Sequence, residues 1–343
     1  MSFTNTTKLL PHQNKDVLYL TDSGLETQLI FKDGFELPEF ASFTLLLDQR
    51  GWEHCKQYYR RHAALVANPA NGQQLVGFVF ESMTWRASPD WLKKLRYEDR
   101  MQEIANKSIQ LLAEVREEFP TLAKNSVLSG TVGPRGDAYV TKHIMSTEEA
   151  KNYHLPLIQA IQKAGADMVR VATLNNINEG IGIVLAAQEV GIPCVLSYTL
   201  ETDGRLVTGE SMKQVIETID AATNNGPAYY MINCVHPTHF LPALKEASID
   251  DKKCSSHWIS RIGGVRGNAS KRSHAELDNS EELDEGNPEE FGNDNLNVMK
   301  LLPQANVFGG CCGTDVRHVE SILSSYVESS QGRVEKKTKP TEQ

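Results

Sequence analysis

The stretch 168–198, MVRVATLNNINEGIGIVLAAQEVGIPCVLSY, shows the fold of this chain most clearly. It begins with a short apolar run at 168–171, continues with a segment of helical periodicity at 177–190, and ends with a second apolar run at 194–198. Short apolar runs are typical of buried strands, and a helix between two of them is typical of parallel pairing. The stretch therefore predicts a strand, a crossover helix and a second, parallel strand.

The same alternation recurs along the chain. The predicted strands are 17–20, 76–80, 127–129, 168–171, 194–198, 229–232, 257–260 and 306–308. The predicted helices are 52–68, 99–119, 147–164, 177–190, 211–224 and 316–329. Eight such strands predict the α/β class and a single (β/α)8 barrel of the TIM type. An open doubly wound sheet is the alternative, but Thr21-Asp-Ser-Gly-Leu-Glu-Thr27 stands where its glycine-rich turn would be.

The domain organisation follows from this alternation. We expect one barrel domain at 1–329, with an acidic loop insertion near 266–295, and a disordered tail at 330–343 that has no apolar periodicity. The insertion is either a solvated segment or a lid over the barrel mouth. As a lid, its basic half, with Arg266, Lys271 and Arg272, would bind a substrate carboxylate.

Two adjacent cysteines framed by glycines are the strongest chemical signal, in Val307-Phe-Gly-Gly-Cys-Cys-Gly-Thr314. Neighbouring side chains on a strand point to opposite faces, so Cys311 and Cys312 can bind one ion only where the backbone bends. Gly309, Gly310 and Gly313 are expected to allow that bend. The alternative is a pair of buried thiols or a strained disulfide between neighbours.

A third cysteine completes a candidate metal site. Cys234 follows the sixth predicted strand, and Cys311 and Cys312 follow the eighth. In a (β/α)8 barrel the loops after the strands form one mouth, so these thiols are expected to meet there. Three cysteine ligands with an open fourth position are typical of a catalytic zinc site, so Zn²⁺ is the predicted cofactor. Cys194, by contrast, lies in an apolar run and is predicted to be a core residue.

Composition limits the classes of partner. The 343-residue chain carries a formal net charge of −9, and no basic patch with interleaved aromatic residues is present. These features argue against nucleic acid or an anionic membrane as the main partner. No signal peptide and no apolar run long enough to span a bilayer is recognisable, which predicts a soluble, cytoplasmic protein with reduced thiols.

The sequence resembles the zinc-dependent homocysteine S-methyltransferases, which include the betaine and S-methylmethionine enzymes, as a divergent member. The resemblance runs from about Asp22 to Thr314. Its most specific parts are Asn233-Cys234 and Gly309-Gly-Cys-Cys-Gly-Thr314. Supporting segments are 21–29, 84–88 and 129–136.

The resemblance implies a barrel that moves a methyl group from a sulfonium or quaternary ammonium donor to a small thiol such as homocysteine, giving methionine. It implies that Cys234, Cys311 and Cys312 hold zinc and that Asp22 helps to hold an amino acid substrate. Glu26, Thr84 and Asn233 are further predicted substrate-binding residues. The implied partners are a small thiol and a methyl donor, in a possible homo-oligomer.

Several residues depart from the pattern of the family or leave its details open. Family members usually carry a glutamate for the substrate ammonium where this chain has Ala172. Either another acid replaces it, or the acceptor is not homocysteine. The candidate acids are Glu26, Glu81 and Glu201. Arg86 is either a sign of a substrate carboxylate or an ordinary ion-paired arginine.

A cationic donor predicts an aromatic wall, for which Trp85, Trp91 and Tyr139 are candidates, although packing is the more common role of such residues. Two alternative functions remain: a zinc or thiol binding barrel without turnover, and metal-assisted hydrolysis using His236 and His239.

Overall fold

A closed barrel of eight parallel strands forms the centre of the protein. The computed structural model describes residues 9–68, 76–139, 144–250, 257–278, 280 and 282–338. Each strand pairs with the next in chain order, and the last pairs with the first. The predicted single (β/α)8 barrel of the α/β class is confirmed.

The strands are short, and most are joined by helices on the outside of the barrel. The strands are β1 (Leu18–Thr21), β2 (Val76–Glu81), β3 (Ser126–Val132), β4 (Met168–Leu174), β5 (Cys194–Tyr198), β6 (Tyr229–Asn233), β7 (Ile262–Gly267) and β8 (Val307–Gly310). The α-helices are α1 (Leu25–Phe31), α2 (Gln49–Ala67), α3 (Pro89–Leu95), α4 (Met101–Glu117), α5 (Thr147–Lys163), α6 (Ile177–Val190), α7 (Met212–Thr223), α8 (Pro237–Asp250), α9 (His257–Ser260), α10 (His274–Asp278), α11 (Pro288–Leu301) and α12 (Val316–Thr338). Short 3₁₀ segments are Pro11–Gln13, Pro38–Phe40, Ser42–Leu47, Glu98–Arg100 and Pro120–Leu122.

Several helices begin at a polar residue that caps the first turn. Asp48, Ser146, Asn176, Ser211 and Asn287 each accept a backbone N–H bond at the first turn of α2, α5, α6, α7 and α11. Such caps satisfy amides that have no partner inside the helix. The predicted positions of α5, α6 and α7 agree closely with the structure for this reason.

An apolar layer fills the lower part of the barrel. We call it the barrel floor; its buried residues include Tyr19, Val79, Val127, Met168 and Val195. Alternate residues of a strand share a face, so each of these side chains points inward from its own strand. A second, larger cluster lies between the barrel and its helices. Burial of each large apolar side chain contributes about 1.5–3 kcal/mol, so these two clusters hold the strand ends in place.

The prediction of the seventh strand at 257–260 was wrong. Those residues form the short helix α9, and the strand is Ile262–Gly267. Glycine is uncommon in strands, so Ile262-Gly-Gly-Val-Arg-Gly267 lacks the usual signal. Here packing requires glycine: a Cβ on Gly263 would lie 2.6 Å from the Tyr229 ring, and one on Gly264 would lie 2.4 Å from the Val307 carbonyl oxygen.

The expectation of a disordered tail also needs correction. Helix α12 continues to Thr338, so 330–338 is helical. Glutamate and lysine residues in this segment favour helix intrinsically, and they extend a helix that Val319, Ile322 and Leu323 anchor to the core. Residues 339–343 lie outside the described part of the chain.

The acidic segment after β7 includes α10 and the first turns of α11. Its residues 279 and 281 lie outside the described residues. Within the described ranges, none of the helices combines the length and apolar character needed to cross a bilayer.

Candidate active site

Three cysteine sulfur atoms meet at the carboxyl ends of the strands. Cys234 directly follows β6, and Cys311 and Cys312 directly follow β8. The three Sγ atoms lie within 4.8 Å of one another, and those of Cys234 and Cys312 are 3.4 Å apart. All three thiols are free. The structure thus brings together the three predicted metal ligands and shows no disulfide between the neighbouring cysteines.

The backbone at these positions is unusual. Cys234 has a φ of +58°, a left-handed conformation that non-glycine residues seldom adopt. Gly313 has a φ of +79° and provides the predicted bend after the cysteine pair. Gly309 and Gly310 have a different role. They lie in β8, where a Cβ would come within 2.0 Å of Thr21 Oγ1 and Thr314 Oγ1, respectively.

The spacing of the thiols fits one tetrahedral ion. Zinc binds thiolate at about 2.3 Å, which places two sulfur ligands roughly 3.8 Å apart. The observed sulfur positions need only small adjustments to reach that geometry. The Tyr139 hydroxyl lies 3.0 Å from Cys234 Sγ, on the side that faces the cavity.

The cysteines differ in their electrostatic surroundings. Hydrogen bonds from Cys234 and Cys312, together with the positive charges of Arg266 and Arg170, lower the pKa of the Cys311 thiol. Burial instead raises the pKa of Cys194 to about 12, and its side chain packs in the core as predicted. Hydrogen bonds within the cluster raise the pKa of the Cys234 and Cys312 thiols, so among the three mouth cysteines the thiolate form is favoured at Cys311.

Four buried charges lie next to the thiols; we call them the mouth layer. It consists of Asp22, Glu81, Arg170 and Arg266, each at most 6% exposed. Glu81 forms ion pairs with both arginines, and Arg170 Nη2 donates to Glu81 Oε2 at 2.5 Å. Arg266 Nη2 lies 3.0 Å from Asp22 Oδ1. Two acids and two bases balance one another, which is what burial of four charges requires.

This layer corrects the role expected of the basic residues in the 266–295 segment. Arg266 is a residue of β7, and its guanidinium also donates to the carbonyl oxygens of Ser23 and Gly310. Lys271 and Arg272 are exposed and pair with Glu290 and Asp284. The three basic residues therefore do not form one substrate-binding cluster.

A cavity of about 490 Å³ opens beside the thiols and the mouth layer. Of the predicted substrate-binding residues, Asp22, Glu26 and Asn233 line it, and so does Ala172. Thr84 does not. It is fully buried, and its hydroxyl bonds to Ser82 Oγ and the Thr131 carbonyl oxygen, which fixes the ends of β2 and β3.

The other candidate residues differ in whether they line the cavity. Glu201, His236 and His239 do not line the cavity, so the histidines do not provide a base for hydrolysis there. Arg86 lines the cavity and stacks between Trp85 and Trp91, 3.9 and 4.0 Å from their rings. The faces of these two tryptophans that contact Arg86 are therefore already occupied by a cation.

The place of Arg170 in the mouth layer was not predicted from the sequence. A signal was present: it lies two residues after Met168, on the inner face of a strand that is otherwise apolar up to Ala172. A charged residue at such a position requires a buried partner, and that partner lies on β2, distant in sequence.

The fold and the site together define a (β/α)8 barrel whose mouth carries three cysteine thiols with the spacing of a metal ligand set. The chain belongs to the homocysteine S-methyltransferase family, whose pattern matches residues 19–325. Membership of this family makes it an S-methyltransferase. No curated protein is similar enough in sequence to match.

Solved structures show the same fold. The metallated form of the homocysteine methyltransferase MmuM from Escherichia coli is 18% identical, with a TM-score of 0.68, over 90% of this chain and 96% of that one. Its oxidized form is 19% identical, with a TM-score of 0.69, over 92% and 99%. The low identity agrees with a divergent member of the family.

Proposed function

We propose that the protein transfers a methyl group from a sulfonium or quaternary ammonium donor to a small thiol such as homocysteine, giving methionine, in a zinc-dependent reaction. The observation that carries this proposal is the cluster of three cysteine sulfur atoms at the wall of the cavity. The family match supports the reaction class, and the sulfur-only ligand set supports zinc.

A zinc ion held by Cys234, Cys311 and Cys312 would act as a Lewis acid that lowers the pKa of the acceptor thiol and leaves its sulfur nucleophilic at neutral pH. The chain contributes orientation. Asn233 holds the end of β6, because its Oδ1 accepts from the Thr173 amide and from Ser197 Oγ. These bonds fix Cys234 relative to β4 and β5.

The cavity also suits a cationic donor. Its wall carries the three cysteine sulfur atoms, and Phe31, Phe40 and Tyr139 contribute aromatic side chains to its lining. Cations are attracted to aromatic faces and to nearby thiolates. Trp85, which was predicted for this role, already contacts Arg86. Holding donor and acceptor together in this enclosed space favours in-line attack of the sulfur on the methyl carbon.

Methyl transfer from deuterated donors tests the proposal. Protein purified under reducing conditions and loaded with zinc would be incubated with homocysteine and, separately, S-methylmethionine, betaine or S-adenosylmethionine. We expect labelled methionine by mass spectrometry with at least one donor, and its loss after treatment with a chelator. Tight zinc binding without methylation of any thiol by any donor would contradict the proposal and support a binding barrel without turnover.

A further inference from the structure

We propose that Arg86 forms an anion subsite of the cavity and binds a substrate carboxylate. Either the methyl donor or the acceptor thiol can carry this carboxylate, and paired analogues distinguish the two. The inference rests on the proposed function and specifies how its substrates are recognised in the same cavity.

Arg86 is an arginine of the cavity lining that has no carboxylate partner. Of the residues the structure describes, three arginines line the cavity, and Arg170 and Arg266 both form ion pairs with Glu81. Among the described residues no carboxylate lies within ion-pair distance of Arg86, although this residue is only 8% exposed. Burial of a charge is costly unless a partner offsets it, so a bound anion is stabilised here.

Four contacts fix the guanidinium of Arg86. Its Nε donates to the Glu39 carbonyl oxygen at 3.3 Å, and its Nη1 donates to the Gly136 carbonyl oxygen at 2.9 Å. Its central carbon lies 3.9 Å from the ring centroid of Trp85 and 4.0 Å from that of Trp91. The group is therefore oriented before a ligand binds, which lowers the entropic cost of binding.

The Nη2 atom of Arg86 remains for a ligand. It makes no hydrogen bond to the described residues, and unlike Arg170 Nη1 it is not sealed off by protein atoms. The two carbonyl oxygens carry no net charge, so the positive charge of Arg86 is not neutralised by them. A carboxylate binds guanidinium through short, charge-assisted hydrogen bonds. An ammonium or sulfonium group at this position would be repelled instead.

The neighbouring acids do not supply the missing charge. The Glu39 carboxylate pairs with Lys94 at 2.6 Å, so only the main-chain oxygen of Glu39 contacts Arg86. Asp137 also lines the cavity, but it is exposed, and its Oδ1 accepts the Tyr139 amide at 2.7 Å. Arg86 therefore lacks a counter-ion from the described part of the chain.

A singly charged anion suits this subsite better than a phosphate. Only one nitrogen of the guanidinium is unbonded, and the cavity lining contains more carboxyl groups than arginines. A dianionic phosphate would be repelled by this excess of negative charge, whereas a carboxylate adds a single charge.

The subsite and the thiols are connected by a short loop. Gly136, which accepts from Arg86, lies three residues before Tyr139, and the Tyr139 hydroxyl lies 3.0 Å from Cys234 Sγ. Three residues span at most about 11 Å. Arg86 and the three cysteines also line the same cavity. A carboxylate on Arg86 therefore belongs to a molecule that occupies the reaction cavity.

Paired substrates that differ only in the carboxylate test the subsite. The acceptor homocysteine is compared with 3-mercaptopropylamine. Among donors, S-methylmethionine is compared with (3-aminopropyl)dimethylsulfonium, betaine with tetramethylammonium, and S-adenosylmethionine with its decarboxylated form. Each comparison varies one substrate, keeps the other constant and measures kcat/KM of the zinc-loaded protein.

Arg86→Gln should remove the discrimination within at least one pair. We expect kcat/KM to fall by roughly 10- to 100-fold for the member with the carboxylate, the range of a charge-assisted hydrogen bond, and to change less than about threefold for the other member. An effect confined to the donor pairs assigns the carboxylate to the donor, and one confined to the acceptor pair assigns it to the acceptor. An equal loss for both members of every pair would overturn the inference.

Two further variants are controls. Arg86→Lys keeps a positive charge and should retain part of the discrimination. Arg135 belongs to the same loop as Gly136, pairs with Asp90 at 2.8 Å and does not line the cavity. Arg135→Gln should therefore leave the ratio within each pair unchanged. These ratios are insensitive to a general loss of folded protein.

Binding measurements separate this inference from the proposed function. If methyl transfer occurs and no pair responds to Arg86→Gln, the inference fails and the proposed function stands. If no thiol is methylated, the proposed function fails, and calorimetry of the zinc-loaded protein with the same pairs decides the inference. A preference for the carboxylate-bearing member that is lost in Arg86→Gln would support it. Equal affinities within each pair, or no binding of any of these molecules, would overturn it.

Discussion

The barrel floor and the mouth layer are built on the same strands, yet they have opposite chemistry. On β2, Val79 belongs to the floor and Glu81 to the mouth; on β4, Met168 belongs to the floor and Arg170 to the mouth. Each pair is two residues apart, so both side chains point into the barrel. One step along each strand therefore changes an apolar core into a cluster of buried charges. The floor stabilises the barrel by apolar packing. In the mouth layer, burial of the charges is costly, and their pairing with one another offsets that cost.

The largest expected effect is the loss of zinc binding and methyl transfer when a mouth cysteine is replaced. Cys311→Ser should abolish stoichiometric zinc binding and lower methyl transfer by at least about 1,000-fold, because a neutral hydroxyl is a poor replacement for a thiolate ligand. Elemental analysis and the methyl transfer assay measure the two effects. Cys194→Ser, at a buried cysteine of β5, is the matched control and should retain both properties. Equal zinc content in the two variants would contradict the assignment of the ligands.

Breaking the mouth layer should cost stability as well as activity. Glu81→Gln leaves Arg170 and Arg266 without their shared carboxylate, which typically costs about 3–5 kcal/mol for a buried pair. Urea denaturation would measure the loss. The double variant Glu81→Gln with Arg170→Gln should recover part of it, since one uncompensated charge is then removed. A loss below about 1 kcal/mol in the single variant would show that these charges are not tightly coupled.

A change in the floor should affect stability alone. Met168→Ala removes a fully buried side chain and should reduce the free energy of unfolding by about 2–5 kcal/mol. Zinc content and methyl transfer per folded molecule should stay within about twofold of the original protein. A large loss of activity in fully folded Met168→Ala would mean that the two layers are not independent.

The smallest expected effect concerns a histidine that supports the mouth. His62 is buried, its Nε2 lies 2.9 Å from Ser23 Oγ and its Nδ1 lies 3.0 Å from the Tyr58 carbonyl oxygen. Burial lowers the pKa of His62 below its ordinary value of 6.5. Neutral His62 therefore contributes stability that is present above pH 6.5 and is lost as the pH falls through the lower, folded pKa.

Thermal unfolding of His62→Gln measures this contribution. Between pH 7.5 and pH 5, the original protein should lose up to about 1.4 kcal/mol per pH unit from this group, and the variant should lose less. Identical pH dependence in the two proteins would show that His62 does not titrate differently in the folded and unfolded states.

The sequence predicted the barrel well because its signals are local. Each βα unit carries its own apolar run and helix cap, as in 168–198, and the cysteines lie directly after strands. Strand β7 was missed because its glycines are required by contacts with Tyr229 and Val307, which no local pattern reveals.

The mouth layer could be predicted only in part, for a similar reason. Glu81, Arg170 and Arg266 are distant in sequence, and their pairing depends on which strand residues share a level inside the barrel. Arg266 was placed on a loop because the strand that carries it was not recognised. Thr84 was expected at the substrate, but its neighbours in the fold already satisfy its hydroxyl.

The visible absorption of the protein loaded with cobalt(II) in place of zinc tests the central claim most directly. The three cysteines should give a tetrahedral cobalt spectrum at one ion per chain, and addition of homocysteine should change it as the acceptor sulfur takes the remaining position. A protein that binds no cobalt at this site, or whose spectrum is unchanged by any thiol acceptor, would contradict a metal centre that activates thiols.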